Sequence, residues 1–312
     1  MKKLIHIICP VYNNNQSLTE LVTRSFSIQK ELDKYDIRMV LIDDGSTDSS
    51  WKEMIRLQNQ FKKIKLIKLT KNYGQINAII AGLHSISVES YFVILSSDLQ
   101  DPPEKIKDLV RELEKGYEIV FAERQKRNDG YFINLTSNIA WKILKFISKD
   151  LPYRGSDFFI LSNKVKEMIS NTNEKEIFIQ NKIINTGYSF SSILYERLHR
   201  KYGKSSSNFE KRFRYFINGL YDCSGYFLKK ITQFSFLTFV LSLFGSIIYF
   251  ILYFINEENV SGWTTIIVAL FGLFSLNFLF ISVLGEYIWK IYQNINDEKT
   301  YIIKEEIDFI TK

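Results

Sequence analysis

The sequence predicts an α/β protein in which a mainly parallel sheet, covered by helices on both faces, is followed by a hairpin of two membrane-spanning helices. First, short apolar runs alternate with helical periods over the first 125 residues, which is typical of βαβ units. Second, residues 231–255 contain no charged side chain, and third, residues 260–285 contain none either. Both runs exceed the ~20 residues that a helix needs to cross a bilayer.

The individual elements follow from period and composition. Apolar runs bounded by turn residues predict strands, and apolar residues that recur every three or four positions predict helices. The predicted strands are 4–9, 37–42, 64–69, 91–95 and 118–122, and the predicted helices are 18–32, 49–60, 77–86 and 105–115. Further on, the pattern predicts a helix at 134–147, a turn or strand at 155–158, two more helices and a strand at 188–195.

Composition and charge exclude several classes of protein. Of the 312 residues, 46% are hydrophobic and 24% are charged, so the chain is not disordered over most of its length. Two cysteines cannot form a disulfide framework. The net charge is +7, and residues 231–312 hold fewer basic than acidic residues, so the basic surplus lies in the first 230 residues. That surplus beside a membrane favours anionic partners such as membrane lipids or nucleotides, and no nucleic-acid motif is present.

The charges that flank the apolar runs predict their orientation. Lys229 and Lys230 precede the first run and Lys290 follows the second, whereas the connection 256–259 has no basic residue. Basic residues collect in cytoplasmic loops, so both termini are expected in the cytoplasm. A pair of buried core helices is the alternative interpretation. The predicted divisions are a cytoplasmic domain at 1–228 with a basic juxtamembrane segment at 197–228, a hairpin at 229–290 with helices at about 231–255 and 261–287, and a cytoplasmic tail at 291–312.

The run DDGSTD at 43–48 directly follows a predicted strand, where ligands of open α/β sheets bind. A tight turn that caps the next helix explains the glycine and part of the pattern. A turn does not require two adjacent carboxylates, however. Asp43 and Asp44 are therefore candidates to accept hydrogen bonds from the base or the ribose of a nucleotide.

The run SSDLQDPP at 96–103 follows the fourth predicted strand. Asp98, Gln100 and Asp101 offer the hard oxygen ligands that Mg²⁺ or Mn²⁺ prefers, and such a cation would neutralise a diphosphate. Helix capping by one of the aspartates gives the same pattern. In combination with Asp43, the run favours nucleotide and metal chemistry.

Basic residues occur at two further places. Arg124 and Arg127 follow the fifth strand, and Arg197, Arg200 and Lys204 precede the membrane. The planar fork of arginine matches phosphate oxygens, although a single surface arginine is more often only solvated. No Ser-His-Asp arrangement or His/Cys cluster can be assembled from the sequence, so a covalent nucleophile is not predicted.

Taken together, these runs resemble the membrane-anchored enzymes of glycosyltransferase family 2 that charge a polyprenyl phosphate. The resemblance is strongest to bacterial bactoprenol glucosyltransferases and weaker to dolichyl-phosphate mannose synthases. It covers nearly the whole chain. The matching stretches are CPVYN at 9–13, DDGSTD at 43–48, KNYGQ at 71–75, AGL at 81–83, DLQDPP at 98–103, GSDF at 155–158, RLHRKYG at 197–203 and LGEYI at 284–288.

The resemblance implies a GT-A fold, a nucleotide-sugar donor, one Mg²⁺ or Mn²⁺ ion, a homo-oligomer and a place in the bacterial inner membrane. The implied nucleotide-binding residues are Pro10, Tyr12, Asn13, Asp43, Asp44, Asn72, Gly74 and Gln75. The implied metal ligands are Asp98 and Gln100, and the implied catalytic residues are Asp98, Arg124, Arg127 and Arg200. The acceptor phosphate is expected to meet Asp157, Arg197, Arg200 and Lys204.

The expected reaction transfers a sugar to undecaprenyl phosphate with inversion. A phosphate monoester has a second pKa of about 6 and is mostly dianionic in the cytosol, so it needs no general base. Metal and arginine would stabilise the departing nucleoside diphosphate. UDP-glucose is the default donor by resemblance, and galactose, N-acetylhexosamine or a modified pentose remain alternatives.

The sequence departs from the family pattern at three places. The family usually has an acid at the position of Asn14, Asp-Ala-Asp at 96–98 and Ser-Lys-Tyr at 205–207, where this chain has three serines. These departures motivate a second hypothesis, a non-catalytic scaffold subunit with the same fold and anchor. A processive polysaccharide synthase is a third, but such enzymes usually carry a Gln-x-x-Arg-Trp signature and more membrane spans than this sequence shows.

Overall fold

The computed structural model describes residues 2–125, 157–170, 179–199, 201–202 and 300–310, together with scattered positions from 262 to 291. The chain divides into two compact units, one made of 1–223 with 299–312 and the other of 224–298. The predicted helix at 134–147 and most of the juxtamembrane segment at 197–228 lie outside the described residues.

The first unit contains an eight-stranded sheet with the strand order β7-β5-β6-β4-β1-β2-β3-β8. Strands β1 to β4 pair in parallel, and β6 and β8 run antiparallel to their neighbours. The strands are β1 Lys3–Val11, β2 Tyr35–Asp43, β3 Ile64–Leu69, β4 Tyr91–Ile94, β5 Ile119–Arg124, β6 Phe158–Leu161, β7 Phe190–Tyr195 and β8 Ile303–Ile307. The prediction of a mainly parallel α/β sheet is confirmed, and β1 to β5 lie close to the predicted positions.

Helices cover both faces of this sheet. The described helices are α1 Asn15–Ser27, α2 Ser50–Gln60, α3 Gln75–His84, α4 Ile106–Glu114, α5 Asn163–Ser170 and α6 Ile179–Ile184. Strand β1 shows why both faces are apolar: Ile5 and Ile7 belong to the core layer under α1, α2 and α4, while Ile8 belongs to the layer under α3, α5 and α6. A strand that is buried on both sides reads as an unbroken apolar run.

Strand β8 closes one edge of the sheet with residues from the end of the chain. It pairs antiparallel with β3 and lies within the segment that the sequence analysis assigned to a tail. Lys65 of β3 is almost fully buried, and its Nζ lies 2.7 Å from Glu306 Oε1. Gln58 Nε2 donates to the carbonyl of Asp308 at 2.9 Å, and the ring of Phe309 packs on that of His6. The C-terminal segment is therefore part of the first unit.

The second unit is described only in part. All described positions from 266 to 291 are helical. Within the described residues of both units, no helix is both long enough and apolar enough to cross a membrane. The apolar run 231–255 lies outside the described residues, so the hairpin stays a prediction.

Burial of His6 in β1 makes the stability of the first unit depend on pH. Its Nδ1 lies 3.0 Å from Ser90 Oγ, and its ring packs between Phe92 and Phe309. Burial, aided by the charge of Arg38, lowers the pKa of His6 to about 4. The unfolded chain therefore binds the proton more readily between pH 4 and 6.5, and the contribution of neutral His6 to stability is lost as the pH falls through that window.

Between pH 7 and pH 4, we expect the free energy of unfolding of wild type to fall by about 3 kcal/mol more than that of His6→Phe. The reason is that each unit of pKa difference corresponds to about 1.4 kcal/mol. Denaturant unfolding of the full chain at both pH values measures this difference. An equal pH dependence of wild type and His6→Phe would contradict the assignment.

Candidate active site

The carboxyl ends of β2, β1 and β4 lie side by side, because the three strands are parallel neighbours in that order. Val11 is the register partner of Asp43, and the N–H of Asp44 donates to the Val11 carbonyl at 2.8 Å. On the other side of β1, the N–H of Leu95 donates to the carbonyl of Ile8 at 3.1 Å. The DDGSTD and SSDLQDPP runs therefore flank the end of β1 on its two sides.

Asp43 ends β2 as a buried carboxylate with one unsatisfied oxygen. Its Oδ1 accepts the N–H of Ser46 at 3.0 Å, whereas Oδ2 is buried without a hydrogen-bond partner. Burial raises the pKa of this carboxyl. A buried acceptor without a donor costs free energy, so the site favours a ligand that supplies an N–H or O–H at this oxygen.

Asp44 faces the loop after β3. Its two carboxylate oxygens accept the backbone N–H groups of Tyr73 and Gly74 at 2.8 and 3.0 Å, and burial raises its pKa to about 6. Both oxygens are thereby committed to the backbone. Asp44 holds the KNYGQ loop, which contains the predicted nucleotide-binding residues Asn72, Gly74 and Gln75.

Gly45 allows the same two loops to touch. It has φ of +68°, and a Cβ at this position would lie 2.4 Å from the carbonyl carbon of Lys71 and 2.6 Å from the nitrogen of Asn72. Real Cβ atoms do not approach backbone that closely, so the turn after β2 lies directly on the turn after β3. The fold requires glycine here for space as well as for φ.

The end of β1 presents a polar and an aromatic side chain. Asn13 adopts φ of +49°, and its Oδ1 accepts the N–H of Thr47 at 2.8 Å, which joins this turn to the DDGSTD turn. Tyr12 is 39% exposed and provides a ring on which a base can stack, while Pro10 is a buried residue of β1. Asn13 thus organises the site and Tyr12 is the residue available to a ligand.

The loop after β4 contains a strained turn at the predicted metal ligands. Leu99 is buried and adopts φ of +60°, a conformation that costs a leucine about 1–2 kcal/mol. Asp98 is half-buried, and its Oδ1 accepts the N–H of Gln100 at 3.1 Å. Strain of this kind persists where surrounding contacts fix the backbone, and here it places Asp98 and Gln100 at the mouth of the sheet.

The donor set of this loop fits a divalent cation that is shared with a diphosphate. Within the described ranges, no group of three or more His, Cys, Asp or Glu side chains is arranged to hold a metal. Mg²⁺ in nucleotide sites commonly takes only one or two protein carboxylates and completes its shell with phosphate oxygens and water. Asp98 supplies such a carboxylate and Gln100 an amide oxygen.

The departure at Asn14 contacts the triplet at 96–98 through Ser97, the residue after Ser96, where the family usually has the first acid. Asn14 Nδ2 donates to Ser97 Oγ at 3.0 Å, and Ser17 Oγ donates to the Ser97 carbonyl at 2.6 Å. These neutral hydrogen bonds tie the start of α1 to the loop after β4. The third departure, at 205–207, lies outside the described residues.

A network of buried polar and charged side chains lies at the carboxyl end of β5. Arg124 ends β5, is only 5% exposed, and donates from a terminal guanidinium nitrogen to Asp157 Oδ2 at 2.8 Å. Gln180 Nε2 lies 3.1 Å from the other carboxylate oxygen, Asp157 Oδ1. Asp157 itself is 40% exposed, so a reachable carboxylate is held by two buried donors.

The same network extends to Asp101, Tyr195 and Arg197. The hydroxyl of Tyr195 donates to Asp101 Oδ1, and burial together with that negative charge raises the pKa of this tyrosine. Arg197 Nε lies 3.7 Å from Asp101 Oδ1. Sequence reasoning missed Tyr195 and Gln180, because neither lies in a motif and their partners are far away along the chain.

The predicted residues at the carboxyl ends of β1 to β4, or just after those ends, are Pro10, Tyr12, Asn13, Asp43, Asp44, Asn72, Gly74, Gln75, Asp98 and Gln100. Arg124, Asp157 and Arg197 lie in the buried network and at its rim. The predicted residues Arg127, Arg200 and Lys204 lie outside the described part of the chain.

Comparison with known proteins identifies the family. The model of the family named Glycosyl transferase family 2 matches residues 6–171, which is more than half of the chain. The chain belongs to glycosyl transferase family 2. It is accordingly a nucleotide-sugar glycosyltransferase, and the resemblance stated from the motifs is confirmed.

Relatives match over nearly the full length. The chain is 30% identical over 307 residues to CsbB of Bacillus subtilis, named as a glycosyltransferase, with 97% of this chain and 92% of that protein covered. It is 28% identical over 317 residues to the undecaprenyl-phosphate 4-deoxy-4-formamido-L-arabinose transferase of Photorhabdus laumondii, with 98% and 94% covered.

A solved structure confirms the fold. Glucosyl-3-phosphoglycerate synthase from Mycobacterium tuberculosis, in complex with Mn²⁺, UDP-glucose and phosphoglyceric acid, superposes with a TM-score of 0.53 at 13% identity. The match covers 71% of this chain and 80% of that one. The family 2 transferase described here therefore has the GT-A Rossmann-like fold.

Proposed function

We propose that this family 2 enzyme transfers a sugar from a UDP-sugar to undecaprenyl phosphate, with inversion, at the cytoplasmic face of the bacterial inner membrane. The product is a lipid-linked monosaccharide for modification of cell-surface glycans. UDP-glucose is the default donor, and one Mg²⁺ or Mn²⁺ ion is the proposed cofactor.

The buried oxygen of Asp43 is the observation that carries the donor half of this proposal. Oδ2 has no partner, and the exposed Tyr12 directly follows Val11, the register partner of Asp43. A nucleobase offers a flat face to the tyrosine and a ring N–H to the carboxylate. On the other side of β1, Asp98 and Gln100 are the proposed ligands of the cation that accompanies the diphosphate, and the position of their loop next to the end of β1 supports this.

The acceptor half is supported by the relatives and by the course of the chain. The Photorhabdus relative is named for transfer to undecaprenyl phosphate. The chain leaves the first unit after residue 223 and rejoins it at residue 299. A chain that begins and ends on one side of a membrane crosses it an even number of times, which agrees with the two apolar runs predicted as a hairpin.

The described helical positions of the second unit add to this support. Apolar side chains there are exposed, as expected for residues that meet lipid rather than a protein core. Those at least 40% exposed are Ile266, Leu270, Leu273, Phe274, Ile281, Leu284, Ile288 and Ile291.

The mechanism assigns each half of the site one task. Asp43 and Tyr12 bind and orient the nucleoside, and Asp44 holds the loop that borders it. A bound divalent cation would neutralise the diphosphate as it departs, held by Asp98 and Gln100. The dianionic acceptor phosphate attacks the anomeric carbon without a general base, so positioning of the two anions is the main work of the protein.

Purified full-length protein, incubated with labelled UDP-sugars, undecaprenyl phosphate and Mg²⁺ or Mn²⁺, should yield a lipid-linked monosaccharide. Asp43→Asn should raise the KM for the donor about 10- to 100-fold, because a hydrogen bond to a charged group is worth about 1.5–3 kcal/mol. Its free energy of unfolding should not fall, since the change removes a buried carboxylate with an unpartnered oxygen.

Asp36→Asn is the matched control, because Asp36 lies at the other end of β2 and pairs with Lys63 and Arg38. It should leave the donor KM unchanged. Absence of transfer from every donor would contradict the proposal.

A further inference from the structure

One fully buried carboxylate joins the two halves of the proposed site. Asp101 comes directly after Gln100 in the loop that follows β4 and has no exposed surface. Its Oδ1 accepts the hydroxyl of Tyr195 at the end of β7, and it lies 3.7 Å from Arg197 Nε just beyond that strand. A single side chain thus contacts two segments that are far apart in sequence.

The backbone repeats this connection. The N–H of Leu198 donates to the carbonyl of Gln100 at 2.9 Å, and Gln100 Nε2 donates to the carbonyl of Leu198 at 3.4 Å. The segment after β7, which contains Arg197, therefore lies against the loop that contains the predicted metal ligands.

The network continues from Tyr195 to the opposite rim. Arg124 Nε donates to the Tyr195 hydroxyl at 3.4 Å, and the guanidinium of Arg124 holds Asp157 at 2.8 Å. Asp101, Tyr195 and Arg124 are all nearly or fully buried, whereas Asp157 and Arg197 reach the surface. The buried members can therefore act on a ligand only through the two exposed ones.

Burial of a carboxylate is costly, and hydrophobic residues often replace a buried ion pair without loss of stability. Two atoms of this network are still unsatisfied, namely Asp101 Oδ2 and Arg197 Nε. The arrangement is thus poor as a device for stability alone. It has the form of a supporting shell that fixes the orientation of groups in contact with a ligand.

We propose that Asp101 is a positioning residue that orients the acceptor side of the site, acting directly on Arg197 and, through Tyr195 and Arg124, on Asp157. Because it belongs to the same loop as Asp98 and Gln100, it sets the place of the acceptor phosphate relative to the donor diphosphate. This inference rests on the proposed function, since it takes polyprenyl phosphate as the acceptor.

The test compares two buried tyrosines that each donate a hydrogen bond to a carboxylate. Tyr195→Phe removes the hydrogen bond to Asp101 and the one accepted from Arg124. Tyr35 lies at the start of β2, away from the site, and Tyr35→Phe removes its hydrogen bond to Glu114 at the end of α4. Tyr195→Phe should raise the KM for undecaprenyl phosphate at least about tenfold, as expected when both hydrogen bonds of this hydroxyl are lost, and leave the KM for the UDP-sugar within about twofold. Tyr35→Phe should change neither KM.

A merely structural role of Tyr195 would lower the amount of folded enzyme and leave both KM values as in wild type. That result, or an equal rise of both KM values, would overturn the inference. Asp101→Asn is the second variant and takes over the test if Tyr195→Phe does not fold. It keeps an oxygen for the tyrosine but removes the charge that faces Arg197, and it should show the same split with a larger rise for the acceptor.

The two proposals fail in distinguishable ways. If wild type neither binds nor glycosylates undecaprenyl phosphate in nanodiscs, the proposed function is wrong and this inference falls with it. If wild type does both and Tyr195→Phe and Asp101→Asn behave like Tyr35→Phe, only the inference about Asp101 is wrong.

Discussion

Replacement of Asp98 by alanine is expected to reduce transfer of the sugar about a thousandfold, with little change in the folded fraction. The reason is electrostatic: Asp98 is the carboxylate proposed to hold the divalent cation, and lost stabilisation of about 4 kcal/mol at the leaving diphosphate corresponds to that factor. Turnover of labelled UDP-sugar with undecaprenyl phosphate measures the loss.

Asp108→Ala is a suitable control, because it removes a carboxylate that forms surface ion pairs with Lys105 and Arg111 on α4. It should keep the wild-type rate. An Asp98→Ala protein that turns over normally would contradict the assignment of the metal loop. If the variant also retains its cellular role while the wild type shows no turnover, the protein is the non-catalytic scaffold that the departures from the family pattern suggested.

Replacement of Gly45 by alanine is expected to damage both stability and donor binding. Its Cβ would collide with the backbone of Lys71 and Asn72, so the KNYGQ loop must move away from the nucleotide site. We expect a loss of about 3 kcal/mol in the free energy of unfolding, from left-handed strain plus displaced backbone. A displacement of about 1 Å also lowers kcat/KM for the donor about a hundredfold.

Gly187→Ala separates the effect of left-handed strain from the effect of the collision between loops. Gly187 has φ of +76°, close to that of Gly45, but no heavy atom lies within 4 Å of the position its Cβ would take. This variant should lose only the left-handed strain, about 1 kcal/mol, and keep its donor kinetics. Equal losses in the two variants would show that contact between the loops does not matter.

Much of the sheet could be predicted because its signals are local. Strands β1 to β5 are apolar runs between turn residues, and the runs at 43–48 and 96–103 follow β2 and β4 as expected. Strand β8 was missed because its centre, Lys304-Glu305-Glu306, is charged and its residues show no apolar alternation. Charged side chains on an exposed edge strand discourage pairing with other chains, which is a physical reason for β8 to lack the apolar pattern of a strand.

The candidate site was predicted less completely, because roles depend on contacts between distant residues. From the sequence, Asp43 and Asp44 are equal candidates to bind a nucleotide. In the structure, Asp43 has an oxygen without a partner, whereas both oxygens of Asp44 accept backbone N–H groups. A left-handed leucine at position 99 has no signal in composition. The donation from Tyr195 to Asp101 joins residues 94 positions apart, which no local pattern can reveal.

The position of β8 also has a consequence for biosynthesis. Because the ribosome makes Ile303–Ile307 long after β3, β3 stays an open edge until then, with Lys65 lacking the carboxylate of Glu306. The nascent enzyme cannot finish its sheet until the intervening segment has been translated. A polypeptide released before Ile303–Ile307 is made would keep β3 as an unpaired edge, a feature that cellular proteases can recognise.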